Sequence, residues 1–282
     1  MLRRLTKRKE LEKYLDFAYG LALEPSYSGY PTYADGVKTR QDFIRQAQEA
    51  LGDENKGIFL FEREGKAVGW IQYYCIPEDR YFSSSSFLTE TGTAQALEEF
   101  LAFGKENYPG YDVWLGFPAE NREAVEYLAD HGFQLLERSQ HEILFFEEYA
   151  PLPETGDLRR VTKENFQDFR ELHDPIAEEM YWNSDRLFKA LDQWEIYLLY
   201  ENGRAEAAVY WTDGTLMLEI FGMDFRNGLF REELFRNLLI KCLNEGKNSG
   251  AKALCYFMEE QEKQLAAPLG FRHIGEYLCF RR

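Results

Sequence analysis

The spacing of apolar residues in the first half of the chain switches repeatedly between the period of a strand and the longer period of a helix. The pair Glu64-Gly65 separates two apolar runs and is typical of a hairpin turn. Gly132 is typical of a helix end, because glycine adopts the left-handed conformation without strain. The predicted elements, in chain order, are helices near 7–19 and 39–51, strands at 57–62, 67–75 and 81–86, a helix at 93–106, a strand at 112–117, a helix at 121–131 and a last strand or hairpin at 133–147.

The second half repeats this order of elements and two of its landmarks. Glu64-Gly65-Lys66-Ala67 recurs as Asn202-Gly203-Arg204-Ala205, and Gly132-Phe133 recurs as Gly270-Phe271, each 138 residues later. We therefore predict a tandem duplication in which each copy is a mixed α/β domain. The predicted elements of the second copy are helices near 162–174 and 184–192, strands at 195–201, 204–211 and 214–221, a long helix, a strand at 252–257, a short helix and a terminal strand.

The stretch between the copies is a predicted linker. Residues 148–157 hold two prolines and a glycine, which interrupt both helices and strands. The predicted domains are therefore 1–149 and 158–282. Both lengths lie in the ordinary range for a domain.

The charge of the chain argues against some partners. The formal net charge is −16, and such an acidic surface repels a phosphate backbone, so we expect no nucleic-acid partner. The basic run at 3–9 precedes no apolar segment of a signal peptide, and no apolar stretch approaches the roughly 20 residues that span a bilayer. We expect a soluble cytoplasmic protein without a membrane partner, and its oligomeric state stays open.

The cysteines and histidines form no metal-binding pattern. His141-Glu142 begins like a zinc-protease motif, but Phe145 stands where that motif has its second histidine. The cysteines lie far apart among apolar residues, which is typical of buried reduced thiols. They are Cys75, Cys242, Cys255 and Cys279. We expect no metal.

The third strand of the first half leads into a loop of small residues and then a helix. The loop reads Thr89-Glu90-Thr91-Gly92-Thr93-Ala94. Gly92 lets the backbone approach a ligand closely, Ala94 leaves room, and the free amides of the first helical turn attract an anion. The loop is therefore a candidate pyrophosphate site, although a small-residue N-cap has the same appearance.

Together with the hairpin before it, this loop resembles the GNAT superfamily of acyl-CoA-dependent N-acetyltransferases. The loop pattern of that family is Q/R-x-x-G-x-G/A, and Thr89-x-x-Gly92-x-Ala94 matches it except that Thr replaces Gln or Arg. The later pattern N-x-x-A-x-x-L-Y-x-x-x-G-F is matched at Asn121, Ala124 and Gly132-Phe133. The resemblance covers most of the first half and, more faintly, the second. It implies two tandem GNAT-like domains, each a mixed, mostly antiparallel sheet flanked by helices.

The resemblance also implies that the first domain binds acetyl-CoA. The amides of 90–95 would hold the pyrophosphate. The pantetheine arm would lie in a splay between the third strand and the strand at 112–117, and Asn121 would touch that arm. The chemistry would be direct attack of an amine on the acetyl carbonyl.

The acceptor side is readable only in outline. In the family it is built by the first helices and their loop, here Tyr27 to Tyr33, with Met180-Tyr181-Trp182 as the counterpart in the second copy. These aromatic residues equally suit a core or a contact between domains. An acidic protein suits a cationic acceptor, so the implied partner is a small-molecule or peptide amine.

Two residues are candidates for the proton transfers of this reaction. The family often has its acid, a tyrosine, at the position of Leu128. Tyr127 stands one residue earlier, about 100° around a helix, so it is a candidate acid but also a typical packing residue. Glu120 is a candidate base, although a carboxylate before a helix is also a typical charge partner of the helix N-terminus.

The second copy departs further from the family pattern. Arg226 fits the first loop position, but Leu229 and Arg231 replace the two small residues. Glu259 and Glu262 replace the Asn and Ala of the later pattern, and their charge would repel CoA. We therefore predict that the second domain keeps the fold without the cofactor.

The leading hypothesis from the sequence is an N-acetyltransferase whose first domain binds acetyl-CoA. The alternative is a non-catalytic GNAT-like binding or regulatory protein, which the threonine at 89 and the missing tyrosine at 128 favour. A third hypothesis is a tandem domain in which neither half binds CoA.

Overall fold

The chain folds into two compact units whose members are not consecutive in sequence. The computed structural model describes residues 1–177, 180–212, 214 and 216–282. Unit 1 comprises Met1–Ser139 together with Ile274–Arg282, and unit 2 comprises Gln140–His273. The end of the chain therefore completes the unit that the first half forms. The boundaries 1–149 and 158–282 remain a prediction about the extent of the two repeats.

Unit 1 is built on a mixed sheet. Its strands are β1 (Leu2–Leu5), β2 (Lys56–Arg63), β3 (Lys66–Ile76), β4 (Tyr81–Thr89), β5 (Asp112–Pro118) and, from the end of the chain, β12 (Arg272–Arg281). They lie in the order β1-β2-β3-β4-β5-β12. All neighbouring pairs are antiparallel except β4 and β5, which are parallel. The helices are α1 (Arg8–Leu11), α2 (Leu15–Ala22), α3 (Arg40–Gly52), α4 (Thr93–Asn107) and α5 (Arg122–Asp130).

Two apolar layers bury the faces of this sheet. Phe87 of β4 and Phe117 of β5 pack with Phe100 of α4 and Leu128 of α5 in one cluster. The second cluster, which includes Trp70 of β3, lies under α2 and α3. In α4, the buried residues Leu97, Phe100 and Leu101 have the spacing of one helix face.

Unit 2 has the same pattern of strands. They are β6 (Gln134–Phe145), β7 (Asp157–Arg160), β8 (Trp194–Glu201), β9 (Arg204–Thr212), β10 (Met217–Phe225) and β11 (Ala253–Met258). Their order is β6-β11-β10-β9-β8-β7, and β10 and β11 are the parallel pair. The part of β6 from Gln140 onwards pairs with β11. The helices are α6 (Phe166–His173), α7 (Ser184–Lys189), α8 (Glu232–Ser249) and α9 (Glu260–Ala266). No helix within the described ranges is both long and apolar enough to cross a membrane.

The hairpin turns predicted in both copies are confirmed. Glu64 and Gly65 have φ angles of 49° and 76°, and Asn202 and Gly203 have φ angles of 51° and 80°. Positive φ at both central residues gives the type I′ turn, whose twist matches the strands on either side. These turns fix the register of β2 on β3 and of β8 on β9.

Two predicted elements differ from the structure, and the strand alternative for a third is confirmed. The helix predicted at 7–19 is wrong as one element, because a turn at 12–14 separates α1 from α2. Leu11 and Leu15 are both buried, so the pattern identified the buried face and not the break. The stretch 133–147 forms one strand, β6, and no hairpin. The strand predicted at 214–221 begins at Met217, and residue 215 of that stretch lies outside the described residues.

We expect the end of the chain to stabilise unit 1. Leu278 of β12 is buried and lies opposite Phe117 of β5. Leu278→Ala should lower the free energy of unfolding by about 2–4 kcal/mol, because it leaves a cavity in the core of unit 1. Urea denaturation followed by circular dichroism measures this loss. The matched control is Leu135→Ala, because Leu135 is 42 % exposed. Equal denaturation midpoints for the two variants would contradict the assignment of β12 to this core.

Candidate functional site

The parallel strands β4 and β5 of unit 1 pair over a short length and then separate. Their partners are Tyr81 with Asp112, Phe82 with Val113 and Ser83 with Trp114. Beyond Ser83, β4 continues to Thr89 on its pairing with β3 alone. A gap opens beyond these partners. It lies between the two strands where the resemblance implies a pantetheine arm.

A segment of the chain itself lies between the separated strands. We call residues 28–30 the splay segment. The amide of Gly29 donates a hydrogen bond of 2.7 Å to the carbonyl of Phe87 on β4, and the amide of Tyr30 donates one of 2.9 Å to the carbonyl of Gly116 on β5. Ser28 also forms an isolated antiparallel bridge with Leu88. The segment therefore satisfies backbone carbonyls of both strands at once.

Asn121 holds this segment from the start of α5. It is buried, and its side-chain oxygen caps α5 by accepting a hydrogen bond of 3.3 Å from the amide of Ala124. Its Nδ2 atom donates a hydrogen bond of 3.1 Å to the carbonyl of Ser28. Asn121 therefore contacts, in the splay, the chain's own backbone at the place where the resemblance implies a pantetheine arm.

The loop at 89–94 joins β4 tightly to α4. The hydroxyls of Thr89 and Thr93 lie 2.7 Å apart, and both side chains are buried. Gly92 is the N-cap of α4 with a φ of 73°, a left-handed conformation that favours glycine. Glu90 and Thr91 are exposed. The amide of Glu90 donates a hydrogen bond of 2.9 Å to the carbonyl of Val68, so of the predicted pyrophosphate amides this one is already taken.

Two charged side chains that the sequence gave no reason to select lie at this loop. Glu123 of α5 accepts a hydrogen bond of 3.0 Å from the amide of Ala94 in the first turn of α4. Arg63 lies on the other side, where its Nη1 atom is 3.4 Å from the hydroxyl of Thr91 and would lie 2.8 Å from a Cβ added to Gly92. The position of Arg63, immediately before the hairpin turn, is the one local signal that could have indicated it.

The groups at the two ends of the splay fit the chemistry of acetyl-CoA. The Ala94 amide already binds an anion, the carboxylate of Glu123, and Arg63 offers a guanidinium of the kind that pairs with phosphate. The carbonyls of Phe87 and Gly116 already accept amide donors, and pantetheine carries amide N–H groups. In this structure, groups of the chain itself occupy these positions. They are the amides of Gly29 and Tyr30 and the carboxylate of Glu123.

The predicted acid and base lie on α5 and at the end of β5. Tyr127 stands one and a half turns into α5, where its ring stacks on His131 with centroids 3.9 Å apart. Burial raises the pKa of Tyr127, and the charge of Glu98 raises it further. Glu120 is exposed at the end of β5, with its Oε1 atom 3.3 Å from the Cβ position of Gly275.

The acceptor-side aromatic residues divide between core and surface. Tyr33 is buried and packs against Phe43, whereas Tyr27 is exposed. In unit 2, Trp182 packs edge-on against Trp194 at 4.9 Å between centroids, and Met180 is exposed. Of the two uses suggested for these aromatic residues, packing describes Tyr33 and Trp182.

The corresponding loop of unit 2 carries ion pairs in place of small residues. Arg231 precedes α8 and forms two hydrogen bonds of 2.6 and 2.9 Å with Glu201. Arg226 donates to the carbonyl of Ala205 at 2.7 Å. Leu229, one of the large residues that replace the small ones, is 66 % exposed, so its side chain lies in solvent.

A buried pair of ionisable residues in unit 2 was missed from the sequence. Nδ1 of His173 lies 2.8 Å from Oδ2 of Asp224, and Nε2 of His173 lies 2.9 Å from the carbonyl of Trp182. A carbonyl only accepts, so Nε2 carries a proton. Burial lowers the pKa of His173, but the hydrogen bond and charge of Asp224 raise it above the usual value. The pair ties α6, β10 and the loop before α7 together.

Glu262 of unit 2 is a buried capping residue. Its Oε2 atom accepts a hydrogen bond of 2.9 Å from the amide of Glu259, and its Oε1 atom accepts one of 3.0 Å from the hydroxyl of Tyr256. Burial raises the pKa of Glu262 to about 7. The carboxylate that was predicted to repel CoA therefore serves the N-terminus of α9.

Comparison with solved structures identifies the fold. A GCN5-related N-acetyltransferase from Sphaerobacter thermophilus matches with a TM-score of 0.62 and 12 % identity, over 100 % of this chain and 95 % of that one. A tandem GNAT protein of the clavulanic acid biosynthesis pathway matches with a TM-score of 0.55 and 12 % identity, over 100 % and 98 %. A GCN5-related N-acetyltransferase from Kribbella flavida matches with a TM-score of 0.52 and 16 % identity, over 77 % and 88 %. No family model and no curated protein matches the sequence.

These similarities confirm the fold that the resemblance implied. The chain has a tandem GNAT fold, a mixed and mostly antiparallel strand arrangement flanked by helices. At identities of 12–16 %, the similarity establishes the fold alone.

The raised pKa of Glu262 predicts a pH-dependent stability. The folded state binds a proton to Glu262 more tightly than the unfolded state, so the free energy of unfolding falls as pH rises from about 4.5 to about 7. Glu262→Gln removes this term. Its free energy of unfolding relative to the wild type should rise by roughly 2–3 kcal/mol between pH 5 and pH 8. Urea denaturation at the two pH values measures the difference.

Glu260→Gln is the control for this experiment, because Glu260 lies in the same helical turn and is exposed. It should change stability little at either pH. An effect of Glu262→Gln that is equal at pH 5 and pH 8 would contradict a raised pKa in the folded state.

Proposed function

We propose that this protein transfers an acetyl group from acetyl-CoA to a primary amine, with the donor bound in the splay of unit 1. Two hydrogen bonds carry the proposal. An amide N–H donates to the carbonyl of Phe87, and a carboxylate accepts from the amide of Ala94. The donor offers the same two kinds of group, amides in its pantetheine arm and an anion in its pyrophosphate. The names of the solved structures with this fold support acetyl transfer.

The residues of unit 1 have distinct roles in this proposal. Arg63 and the amides of 91–95 hold the pyrophosphate, and Asn121 donates to the pantetheine arm in place of the Ser28 carbonyl. Acetyl-CoA supplies an activated carbonyl that a neutral amine attacks directly. Glu120 is the proposed base, because it is an exposed carboxyl side chain at the end of β5. Tyr127 is the proposed acid, because its raised pKa keeps it protonated.

The proposed acceptor is a cationic small molecule or peptide with a primary amine. The net charge of −16 favours the approach of a cation and disfavours nucleic acid. The amine must lose a proton before it attacks, so the rate should rise with pH until the amine is neutral.

A second candidate function is a non-catalytic binding or regulatory protein. The observation in its favour is that residues 28–30 lie where the donor would lie. If these residues never leave the splay, unit 1 keeps the fold and excludes acetyl-CoA.

Thermal denaturation with millimolar acetyl-CoA tests the proposal. Ligand at about ten times its dissociation constant should raise the melting temperature by roughly 3 °C. Arg63→Ala should reduce this increase, because it removes the guanidinium beside Gly92. Arg4→Ala is the matched control, since Arg4 is an exposed arginine on β1. Release of free thiol across a panel of primary amines then tests the transfer.

The outcomes separate the two candidates. Thermal stabilisation with thiol release supports acetyl transfer, and stabilisation without thiol release for any amine supports the binding protein. Acetyl-CoA would be rejected as the ligand of unit 1 if it stabilised neither the wild type nor a folded Gly29→Val variant. In that variant the added side chain crowds the splay segment against β4 and β5.

A further inference from the structure

Residues 23–32 form a closed surface loop whose tip is the splay segment. The base of the loop is a hydrogen bond of 3.1 Å from the amide of Tyr33 to the carbonyl of Ala22. Tyr33 is buried, and its hydroxyl donates to Oε1 of Gln46 at 2.7 Å. Leu23 and Tyr27, between the base and the tip, are exposed. The loop is therefore an Ω-loop with a fixed base and a solvent-facing outer side, a class of loop that is frequently functional.

The tip fits between β4 and β5 because it carries a glycine. A Cβ added to Gly29 would lie 3.1 Å from Cβ of Phe87 and 3.2 Å from the carbonyl oxygen of Gly116. Both distances are shorter than ordinary van der Waals contact. Tyr30 adds an edge-on contact with Tyr277 at 4.7 Å between ring centroids. The fit is close enough that a larger residue at position 29 would push the tip out.

The inserted loop leaves some polar groups unsatisfied. Oγ of Ser28 and Oγ1 of Thr32 are buried, and within the described part of the chain neither has a hydrogen-bond partner. Burying a hydroxyl without a partner offsets roughly the gain from one hydrogen bond. The inserted state is therefore held by three backbone-directed hydrogen bonds and opposed by two buried hydroxyls. The small net free energy that holds the tip in the gap is what a loop needs if it is to move out of the gap.

A second group of the chain stands at the other end of the splay. Glu123 places its carboxylate on the Ala94 amide, while the splay segment places amides on the carbonyls of Phe87 and Gly116. The two groups come from different elements and occupy anchors of opposite chemistry. Together they match the two parts of a CoA thioester, an anionic diphosphate and an amide-bearing arm.

We propose that the Ω-loop tip and Glu123 are internal competitors of the acyl donor, which hold unit 1 in an inhibited state until the loop withdraws. This inference rests on the proposed function of the same site. The loop and the pantetheine arm cannot both hydrogen-bond the Phe87 carbonyl from within the gap, so donor binding requires the open loop. The apparent dissociation constant of the donor is then the intrinsic one divided by the open fraction. Three lost hydrogen bonds set against two freed hydroxyls leave a net cost of about one hydrogen bond, which corresponds to roughly a 2- to 10-fold weaker affinity.

The two competitors can be removed separately. Gly29→Val should expel the tip, and its matched control is Gly52→Val, where an added Cβ meets nothing within 4 Å. Glu123→Ala removes the carboxylate, and its matched control is Glu126→Ala, an exposed glutamate on the same helix. Ser28→Ala removes a buried unpartnered hydroxyl and should favour the inserted loop. Circular dichroism and the melting temperature establish that each variant is folded.

Calorimetric titration with CoA, pantetheine and ADP distinguishes the two ends of the site. Gly29→Val should bind CoA and pantetheine about 2- to 10-fold more tightly and leave ADP unchanged. Glu123→Ala should bind CoA and ADP a few-fold more tightly and leave pantetheine unchanged. Ser28→Ala should weaken the binding of CoA several-fold. Gly29→Val and Ser28→Ala thus change the affinity for CoA in opposite directions, and both control variants should match the wild type.

Hydrogen exchange of the wild type gives a readout that needs no variant. Addition of CoA should speed exchange of the Gly29 and Tyr30 amides, because both lose their carbonyl partners, although ligand binding ordinarily slows exchange. Gly29→Ala, which introduces the same Cβ on a smaller scale, replaces Gly29→Val if the latter does not fold.

The outcomes separate this inference from the proposed function. Bound CoA with the Gly29 and Tyr30 amides still protected overturns the competing loop and leaves acetyl transfer standing. Failure of CoA to bind to a folded Gly29→Val, with the same amides exchanging freely, overturns the proposed function even though the loop opens. Equal affinity of wild type, Gly29→Val and Ser28→Ala for CoA overturns the competition itself.

Discussion

The separation of β4 from β5 is the constraint on which the site of unit 1 depends. Parallel strands that diverge leave backbone carbonyls without partners, and a buried carbonyl without a donor is costly. Phe87 and Gly116 are in this position, on opposite sides of the gap. The fold therefore needs an occupant with amide groups at this place. Gly29 and Tyr30 meet that need, and Asn121 fixes the backbone that carries them.

The same need is the basis of the proposed exchange between a donor and the loop. An extended backbone and a pantetheine arm both present amide N–H groups along a narrow chain, so one gap accepts either. At the far end, the turn that begins α4 accepts either a carboxylate or a phosphate, because the partial charge of its amides is indifferent to the source of the anion. In this structure the carboxylate of Glu123 is the anion at this turn.

The sequence predicted the parts that local rules control. Both hairpin turns follow from residues that tolerate positive φ, and the helix start at Gly92 follows from a glycine after a strand. The buried faces of α4 and α5 follow from apolar spacing. The resemblance predicted a splay between the third strand and the strand at 112–117. In the structure these strands, β4 and β5, pair only as far as Ser83 and Trp114.

The parts that the sequence did not predict depend on contacts between distant residues. Gly29 meets Phe87 and Gly116 across long stretches of chain, and no local pattern encodes that meeting. Glu123 and Ala94 come together only once α4 and α5 have packed. The end strands of the two repeats carry the same Gly-Phe signature, so the sequence could not say which unit each would complete.

The membership of β12 in unit 1 has a consequence for how the protein is made. A domain generally folds as a unit during synthesis, the N-terminal one first. Here the antiparallel partner of β5 follows the whole of unit 2 in the sequence. Throughout translation of unit 2, unit 1 must therefore keep an unpaired strand edge, which is a template for pairing with other chains. The protection of this edge during synthesis thus depends on how soon β12 pairs with β5.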